Sequence, residues 1–501
     1  MTRRRRAGIL LHPTSLPGPF GIGDLGPAVD EFLDWAVSAG QSVWQVLPLT
    51  PPGMHGTPYS GLSAFAGNPA LISPELLRDE ELLRDDELIL APGQPANAAA
   101  FGAVEAWKDR LLRMAWDRFQ TEAPRELWEA LEAFCSAPEQ GSWLEDWALF
   151  AVLRRRFDAQ SWHRWDPELA RRDPEALERV RRDEAHELAY HCFVQFLFER
   201  QWSRVRSEAA ARGIEIMGDL PIYVAYDSAD VWANRELFDL DAEGRPREVA
   251  GVPPDYFTED GQLWGNPLYR WDRMETDGFR WWIDRLGANL RLADQVRLDH
   301  FRAFAGYWAV PVDHDTAREG RWRDGPGKPL FDALAAALGD LPLVAEDLGD
   351  ITEDVHALRR DIGLPGMRVL QFGFEPEASL HTPHNVGADT VVYTGTHDNS
   401  TALGWFRGLD RESRDRLSVY SGAGPRQVHW TLIRLAYGTA SELALVPIQD
   451  VLGLGDGARF NTPGQLHGNW RWRLGRGDLT ADSAGKLRRL AAVFDRLPEG
   501  R

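Results

Sequence analysis

The chain alternates short runs of apolar residues with longer stretches in which apolar residues recur every three or four positions. The first repeat has an apolar run at residues 8–12, an amphipathic stretch at 28–39 and a second apolar run at 43–49. Short apolar runs bounded by Gly and Pro predict strands, and spacing of three or four residues predicts a helix. A strand, a helix and a strand at this separation predict a βαβ unit, and therefore a parallel sheet.

The same alternation continues along the chain and supplies six further candidate strands. They lie at residues 214–217, 295–298, 343–345, 368–372, 390–393 and 443–447. Helical patterns precede or separate them, at 184–212, 279–292, 330–338, 352–360 and 427–437. Eight alternations favour an α/β fold, a (β/α)8 TIM barrel formed as a single domain by residues 1–501. An open doubly wound sheet is the alternative, although no GxGxxG motif opens a helix after the first strand.

Two long segments interrupt the alternation and are predicted to be insertions between strands of the barrel. Residues from about 70 to 183 are rich in Glu, Arg, Leu and Trp at helical spacing, which predicts a mainly helical insertion. Residues from about 225 to 275 are predicted to be an irregular loop region. A TIM barrel with two inserted subdomains is therefore expected.

The charge of the chain narrows the classes of partner. The net charge is −20, from 56 basic and 76 acidic side chains. A negatively charged surface repels phosphate backbones, so a nucleic-acid partner is disfavoured, whereas a neutral substrate is compatible with this charge.

No run of about 18 apolar residues is present, so no membrane span is predicted. The apolar stretch after the arginines at 3–6 is too short for an export signal, and a cytoplasmic location is expected.

The cysteine content argues against a disulfide framework and against a cysteine-based metal site. Cys135 and Cys192 are the two cysteines of the chain, and they lack the spacing of either kind of site. We expect both to be small, buried hydrophobic side chains in a reducing compartment. No EF-hand-like calcium loop is found in the sequence, so neither a metal nor another cofactor is predicted.

Acidic residues follow three of the predicted strands: Asp299, Glu346 and Asp398. In a barrel, the residues just beyond the carboxyl ends of the strands share one face, where catalytic groups gather. Any one of these acids could instead cap the helix that follows it. Three acids that converge from three strands are harder to explain as separate caps, so we interpret them as a candidate catalytic site.

Two of these acids are expected to have opposite protonation states. Arg297 lies two residues before Asp299, so both side chains point to the same side of the strand, and the guanidinium keeps the carboxylate ionised. Glu346 follows the apolar run 343–345, where burial raises the pKa of a carboxyl group and keeps it protonated. An ionised nucleophile beside a protonated acid is the equipment of retaining glycoside chemistry, if the two groups are about 5 to 5.5 Å apart.

Six segments carry a resemblance that extends over nearly the whole chain, from residue 8 to residue 472. They are GDLPIYV at 218–224, AGVPPDYF at 250–257, WGNPLY at 264–269, RLDHFR at 297–302, AEDLG at 345–349 and TGTHDN at 394–399. In these motifs the chain resembles the amylomaltases, which are 4-α-glucanotransferases or disproportionating enzymes of glycoside hydrolase family 77, in the α-amylase clan. The resemblance implies that maltooligosaccharides and other 1,4-α-glucans are donors, and that glucose or a glucan is the acceptor.

The resemblance also implies roles for the residues that match the family. Asp299 would be the nucleophile, Glu346 the general acid/base and Asp398 the acid that holds sugar hydroxyls and stabilises the transition state. The substrate-binding residues would be Arg297, His300, His397, Asp219, Tyr59, Trp264, Asn266, Asp255, Tyr256 and Phe257.

Several of these positions also have a structural interpretation. Each histidine could be a hydrogen-bonded structural residue, and Asp219 could be a cap or a turn residue. Tyr59 and Trp264 would be stacking platforms for sugar rings, although tryptophan is also a common core residue. His12 has no acidic neighbour in the sequence and is interpreted as structural.

Transfer rather than hydrolysis requires that a bound sugar, and not water, resolves the glucosyl-enzyme. Residues 252–257 are a candidate lid, because two prolines stiffen this loop and two aromatic residues could cover the acceptor side. A surface turn whose aromatics pack downward is the structural alternative.

A hydrolytic enzyme of the α-amylase type with the same three acids is the first alternative function. A non-catalytic glucan-binding protein is the second, and the presence of all three acids argues against it.

Overall fold

Eight parallel strands form the central sheet of the protein, and four antiparallel strands form a smaller sheet. This computed structural model describes residues 5–53, 56–89, 98–254, 259–375, 380–422 and 427–499. The strands, in chain order, are β1 (Arg6–Leu10), β2 (Val43–Gln45), β3 (Glu215–Pro221), β4 (Glu248–Val252), β5 (Gln262–Pro267), β6 (Gln295–Asp299), β7 (Gly306–Pro311), β8 (Arg321–Asp324), β9 (Leu343–Ala345), β10 (Gly366–Val369), β11 (Thr390–Tyr393) and β12 (Leu443–Pro447).

The eight parallel strands run in the order β10-β11-β12-β1-β2-β3-β6-β9. At the seam between the two outer strands, the backbone N–H of Ala345 in β9 donates to the carbonyl oxygen of Pro365, just before β10, at 2.9 Å. The sheet therefore curls into a nearly closed barrel. This confirms the (β/α)8 fold that the alternation of strands and helices predicts.

The interior of the barrel is filled by side chains. Gly8 of β1 shows how tightly, because a Cβ atom there would lie 2.4 Å from the carbonyl oxygen of Val43 and 2.8 Å from Cδ2 of Leu445. A glycine is thus required where β1 passes its neighbours. The apolar residues of the interior are Val43, Met217, Val344, Met367, Val369, Val391, Leu443 and Leu445.

Helices surround the barrel and fill the connections between its strands. The first of them begins at Pro27, a residue suited to the first helical turn, and its buried residues recur at helical spacing. The helices are α1 (Pro27–Ser38), α2 (Pro74–Asp79), α3 (Phe101–Glu122), α4 (Arg125–Ser136), α5 (Leu144–Arg156), α6 (Pro167–Ala170), α7 (Pro174–Asp183), α8 (Ala185–Ala211), α9 (Ala229–Ala233), α10 (Trp271–Thr276), α11 (Arg280–Leu292), α12 (Arg302–Ala305), α13 (Gly327–Leu338), α14 (Glu353–Asp361), α15 (Ala402–Gly408), α16 (Arg411–Ser421), α17 (Val428–Gly438), α18 (Ile448–Leu452) and α19 (Ala481–Val493).

Helices α2 to α7 lie between β2 and β3, in the segment of about 70–183 where the sequence predicts a helical insertion. Aromatic contacts join this segment to α8: the ring of Phe193 lies 5.0 Å from that of Trp116 and 4.8 Å from that of Phe119. All three side chains are buried. Because α8 leads into β3, the insertion packs on the helix that positions that strand.

The two cysteines differ from the expectation that both are buried. Cys135 is exposed and Cys192 is half-buried. The reason lies in the helix that carries Cys135: α4 is an outer helix, and Leu131 is its one buried residue.

Among the described residues, none of the helices combines the length and the apolar character that a membrane span requires.

The second sheet, in the order β5-β4-β7-β8, is a difference from the sequence prediction. The sequence predicts an irregular region at residues 225–275, but they contain α9, α10 and strands β4 and β5. The strands are hard to foresee because β4 also pairs with β7, with Val249 opposite Val310, and β7 follows a barrel strand. In addition, β5 is largely exposed, so its sequence shows no contrast between a buried and an exposed face.

The sixth barrel strand also differs in its position from the predicted strand. The apolar run at 368–372 predicts a strand there, whereas β10 spans Gly366–Val369 and Leu370–Phe374 form a 3-10 helix. Pairing with β11 sets the end, because Val369 is opposite Tyr393, the last residue of that strand. Leu370 and Phe374 of this 3-10 helix are buried, and Phe372 is half-buried.

Candidate active site

Strand register brings Asp219, Asp299 and Glu346 together at the carboxyl ends of three adjacent strands, β3, β6 and β9. Leu298 of β6 is paired with Ala345 of β9, so Asp299 and Glu346 are the next residues on neighbouring strands. On the other side of β6, Arg297 is paired with Asp219 of β3. Neighbouring strands are about 4.8 Å apart, so these side chains are within reach of one another.

Arg297 lies at the centre of this cluster. Its Nη1 atom is 2.9 Å from Oδ1 of Asp219 and 2.8 Å from Oδ1 of Asp299. Burial alone would lower the pKa of Arg297, but the two carboxylates outweigh it and raise that pKa well above the ordinary value. The guanidinium therefore stays charged and orients the carboxylate of Asp299.

The carboxyl group of Asp219 lies deeper than that of Asp299. The Asp219 side chain has 0% exposure, whereas 27% of the Asp299 side chain is exposed. Burial raises the pKa of Asp219 to about 6, and the charge of Arg297 opposes the rise. Asp299 is thus the acid that reaches the open side of the site, and Asp219 supports it from below through Arg297.

Glu346 is held by two backbone N–H groups. The N–H of His300 donates to Oε2 at 2.7 Å, and that of Leu348 donates to Oε1 at 3.1 Å. Burial raises the pKa of Glu346 well above its usual value, and the charge of Asp299 adds to this effect against the opposing charge of Arg297. Burial therefore favours the protonated form of this group, which can donate a proton.

Asp398, the third acid, lies in the segment that follows β11. Its Oδ2 is 3.2 Å from Nε2 of His397, and its Oδ1 accepts a hydrogen bond from the amide of Asn461 at 2.6 Å. Burial would raise the pKa of Asp398, but the charge and hydrogen bond of His397 and the Asn461 amide lower it well below the usual range. With 45% of its side chain exposed, this carboxylate is ionised and open to a ligand.

Tyr59 joins the two sides of the site. Its hydroxyl group donates to Oδ2 of Asp219 at 2.8 Å. Its ring is stacked on that of His397, with 4.8 Å between the ring centroids and 18° between the planes. The arrangement connects the acid on β3 to the His397 and Asp398 pair beyond β11.

The smaller sheet contributes a wall beside Glu346. The ring of Trp264 on β5 contacts the ring of His300 edge to face, at 4.7 Å, and 36% of Trp264 is exposed. Burial lowers the pKa of His300 to about 4, so this imidazole is neutral. The Asn266 amide donates to the carbonyl oxygen of Val224 at 2.9 Å, which attaches β5 to the loop after β3.

The lid residues proposed from the sequence, Asp255, Tyr256 and Phe257, lie outside the described residues. The other predicted site residues are distributed around two neighbouring groups. Contacts join six residues into one cluster: Arg297, Asp219, Asp299, Tyr59, His397 and Asp398. Glu346 is held by the backbone of His300, whose ring contacts Trp264, and Asn266 anchors the strand that carries Trp264.

Sequence reasoning missed the segment that supports Asp398 from behind. Arg459 donates to the carbonyl oxygen of Asp398 at 2.8 Å, in addition to the contact that Asn461 makes. The indole of Trp470 lies 5.7 Å from the ring of Tyr59 and 5.8 Å from that of His397. Arg459 and Asn461 follow no strand end and have no spacing typical of a site, so a single sequence offers no signal for these two; Trp470 lies in a polar, Gly-containing segment, which favours a sugar-stacking role but does not reveal its ring contacts.

In the part of the chain that the structure describes, no group of three or more His, Cys, Asp or Glu side chains could hold a metal ion. The groups that the site presents to a ligand are its acids, its arginine and its hydrogen-bond donors. These groups suit the making and breaking of glycosidic bonds.

Comparison with known proteins agrees with this geometry. The model of the 4-α-glucanotransferase family matches residues 11–479 of the chain. The chain belongs to this family. Among other 4-α-glucanotransferases, the protein from Thermus thermophilus is 46% identical over 502 residues, which cover 98% of this chain and 99% of that one. The chloroplastic/amyloplastic protein from Solanum tuberosum is 48% identical over 503 residues, 99% of this chain and 87% of that one.

The fold of this 4-α-glucanotransferase is also that of solved relatives. The amylomaltase from Streptococcus agalactiae, determined in complex with acarbose, superposes with a TM-score of 0.95 at 36% identity, over 99% of this chain and all of that one (100%). These relatives are transferases by name, which favours the transferase over the hydrolytic alternative that the three acids alone leave open.

Proposed function

We propose that this 4-α-glucanotransferase moves a segment of a 1,4-α-glucan to the 4-hydroxyl group of glucose or of another 1,4-α-glucan, by a retaining double displacement. The observation that carries the proposal is the buried Arg297, which contacts Asp299 at 2.8 Å. It supports a nucleophile with a fixed cation beside it, and the adjacent strand leads directly to the buried Glu346, whose raised pKa favours the protonated form. Retaining glycoside chemistry uses an ionised nucleophile and a protonated acid.

In the first half of the reaction, the carboxylate of Asp299 attacks the anomeric carbon C1 of the donor sugar. The bond between C1 and the glycosidic oxygen breaks as Glu346 gives its proton to that oxygen. The products are a β-linked glucosyl-enzyme on Asp299 and a shortened sugar with a free 4-hydroxyl group. The raised pKa of Glu346 supports its role as the proton donor.

In the second half, the 4-hydroxyl group of an acceptor attacks C1 and displaces Asp299. The ionised Glu346 now takes the proton of that hydroxyl, so both acids return to their starting states. Two inversions at C1 leave the new linkage in the α configuration.

Asp398 is proposed to accept hydrogen bonds from sugar hydroxyl groups next to the reacting carbon. Its low pKa and its 45% exposed side chain support this role. Hydrogen bonds to a fixed carboxylate that tighten as the ring flattens stabilise the transition state rather than the bound substrate. Tyr59 and His397 would form the wall of the same donor pocket, with Arg297 below it.

Acceptor selection is proposed to depend on the side of the site that Trp264 and His300 line. An aromatic platform holds the apolar face of an acceptor ring, and the expected lid at 252–257 would limit the access of water. The cytoplasmic location expected from the sequence stays a prediction, since the relative from Solanum tuberosum is named chloroplastic/amyloplastic.

Incubation with maltotriose as the sole sugar tests the proposed function. We expect glucose together with oligomers longer than maltotriose, analysed by chromatography at early times. Accumulation of only shorter sugars would identify a hydrolase and would contradict the proposal. Asp299→Asn should abolish the glucosyl-enzyme step, whereas Asp340→Asn, at an exposed acid before β9, should leave the product pattern unchanged.

A further inference from the structure

Trp470 has a backbone conformation that bulky L-residues rarely adopt. Its φ angle is +64°, in the left-handed region, where the Cβ atom crowds the following carbonyl group. Two residues earlier, Gly468 has a φ angle of +89°, which a glycine adopts without cost. Glycine would relieve the strain at 470 as well, so the indole must contribute something that offsets it.

Hydrogen bonds on both sides impose this conformation. The N–H of Trp470 donates to the carbonyl oxygen of Phe460 at 2.5 Å. The side chain of Asn469 accepts from the N–H of Thr462 at 3.0 Å and donates to the carbonyl oxygen of Gln465 at 2.8 Å. The segment 460–470 is therefore closed on itself, and the direction of the indole is fixed by its backbone.

The indole is aimed at two residues of the site. It is 7% exposed and lies 5.7 Å from the ring of Tyr59 and 5.8 Å from that of His397. Those two rings are themselves stacked at 4.8 Å. Trp470 thus completes a three-ring cluster with Tyr59 and His397, in which the hydrogen bonds to the acids come from the other two rings.

The polar atoms of the three-ring cluster reach two different acids. The hydroxyl group of Tyr59 donates to Asp219 at 2.8 Å, and Nε2 of His397 lies 3.2 Å from Asp398. A rotation of either ring would lengthen one of these contacts. On its other side, the indole lines a small cavity with residues that include His12.

We infer that Trp470 is a positioning residue for the glucanotransferase reaction, which holds the rings of Tyr59 and His397, and through them Asp398, in their working geometry. The inference rests on the proposed function. On this inference, the strained backbone of Trp470 serves the geometry of the active site and not the stability of the hydrophobic core. A displacement of about 1 Å at a supporting residue can lower a rate about 100-fold.

The test compares Trp470→Leu with Trp470→Phe and with a matched control, Trp472→Leu. Trp472 lies two residues further on, and its ring packs on Phe460 at 5.9 Å. We expect Trp470→Leu to lower kcat for maltotriose disproportionation roughly 10- to 100-fold with KM within about 3-fold, because transition-state geometry is lost and substrate contacts stay. Trp470→Phe should recover most of kcat, and Trp472→Leu should stay within about 3-fold of the unsubstituted protein.

A pH profile separates positioning from a merely structural role. A loosened His397 raises the pKa of Asp398, so the acid limb of kcat should move to higher pH in Trp470→Leu and stay in place in Trp472→Leu. Melting temperatures of all variants are measured in parallel. Equal kcat losses in the two leucine variants with equal losses of Tm, and no movement of the acid limb, would overturn the inference. A failure of the unsubstituted protein to elongate maltotriose would instead overturn the proposed function.

Discussion

Nη1 of Arg297 lies 2.8 Å from Oδ1 of Asp299, and only 4% of the arginine side chain is exposed. The same nitrogen atom contacts both carboxylate oxygens of Asp219 at 2.9 Å. One buried cation is therefore shared by two carboxylates, of which only Asp299 reaches the open side of the site. Because a guanidinium does not lose its proton, the carboxylate of Asp299 has a permanent positive charge beside it.

Arg297→Lys should reduce kcat for maltotriose disproportionation by about 10²- to 10³-fold, the usual cost of losing one preorganised donor. The ammonium nitrogen of lysine is one bond closer to the backbone than Nη1 of arginine, so it cannot reach both carboxylates with the same geometry. Initial rates of glucose release, with thermal unfolding as a check on folding, measure the effect. Arg204→Lys is the control, since Arg204 pairs with Asp30 at 2.9 Å between two outer helices. Equal rates in the two variants would remove Arg297 from the mechanism.

Asn461→Ala should move the acid limb of the pH profile to higher pH. The Asn461 amide donates to Asp398 at 2.6 Å and is one of the groups that lower the pKa of this acid. A depressed pKa keeps Asp398 ionised at low pH; as that pKa rises, ionisation is lost earlier when the pH falls. A hydrogen bond to a charged group is worth about 1.5–3 kcal/mol, so kcat should fall roughly 10- to 100-fold.

The measurement for Asn461 is kcat against pH from acid to neutral conditions. Asn461→Asp should move the limb further than Asn461→Ala, because a second carboxylate beside Asp398 raises its pKa more. Asn289→Ala, on the outer helix α11, serves as the control and should leave the limb in place. An unchanged limb in both Asn461 variants would show that Asp398 does not control the acid side of the profile.

The barrel and its three acids could be predicted from the sequence because both depend on local signals. Apolar runs mark the strands, and Asp299, Glu346 and Asp398 follow them directly or within a short loop. The register between β6 and β9 then requires that Asp299 and Glu346 be neighbours. The pairing of these two adjacent strands is enough to bring Asp299 and Glu346 together.

The supporting residues could not be predicted, because their roles arise from contacts between distant parts of the chain. Asn461 contacts Asp398 across 63 positions, and Trp470 meets Tyr59 across more than 400. The small sheet is hidden for the same reason, since β4 pairs with β7 from beyond a barrel strand. The expected burial of Cys135 was wrong because hydrophobic character does not tell which helix is outermost.

Gly8→Ala should destabilise the barrel by about 1–3 kcal/mol, the usual cost of overpacking a core. The new Cβ atom would lie 2.4 Å from the backbone oxygen of Val43, an atom that cannot rotate away. Gly485→Ala is the matched control: it lies within α19 with no atom within 4 Å of the new Cβ, so it should stabilise by about 0.5–1 kcal/mol. Urea unfolding of both variants measures whether the free energy of unfolding falls in Gly8→Ala and rises in Gly485→Ala. A stable Gly8→Ala variant would contradict the close approach of β1 and β2.

Glu346 should determine the basic limb of the pH profile for kcat/KM. Burial raises its pKa, and the first step uses the protonated form, so activity is present below that pKa and is lost as the pH rises through it. Glu346→Gln should lower kcat for maltotriose by about 10²- to 10⁴-fold and remove the basic limb. With glucosyl fluoride, whose leaving group needs no proton, formation of the glucosyl-enzyme should be largely restored. Glu353→Gln, at an exposed residue of α14, should keep the basic limb, and a basic limb that persists in Glu346→Gln would assign the proton donor elsewhere.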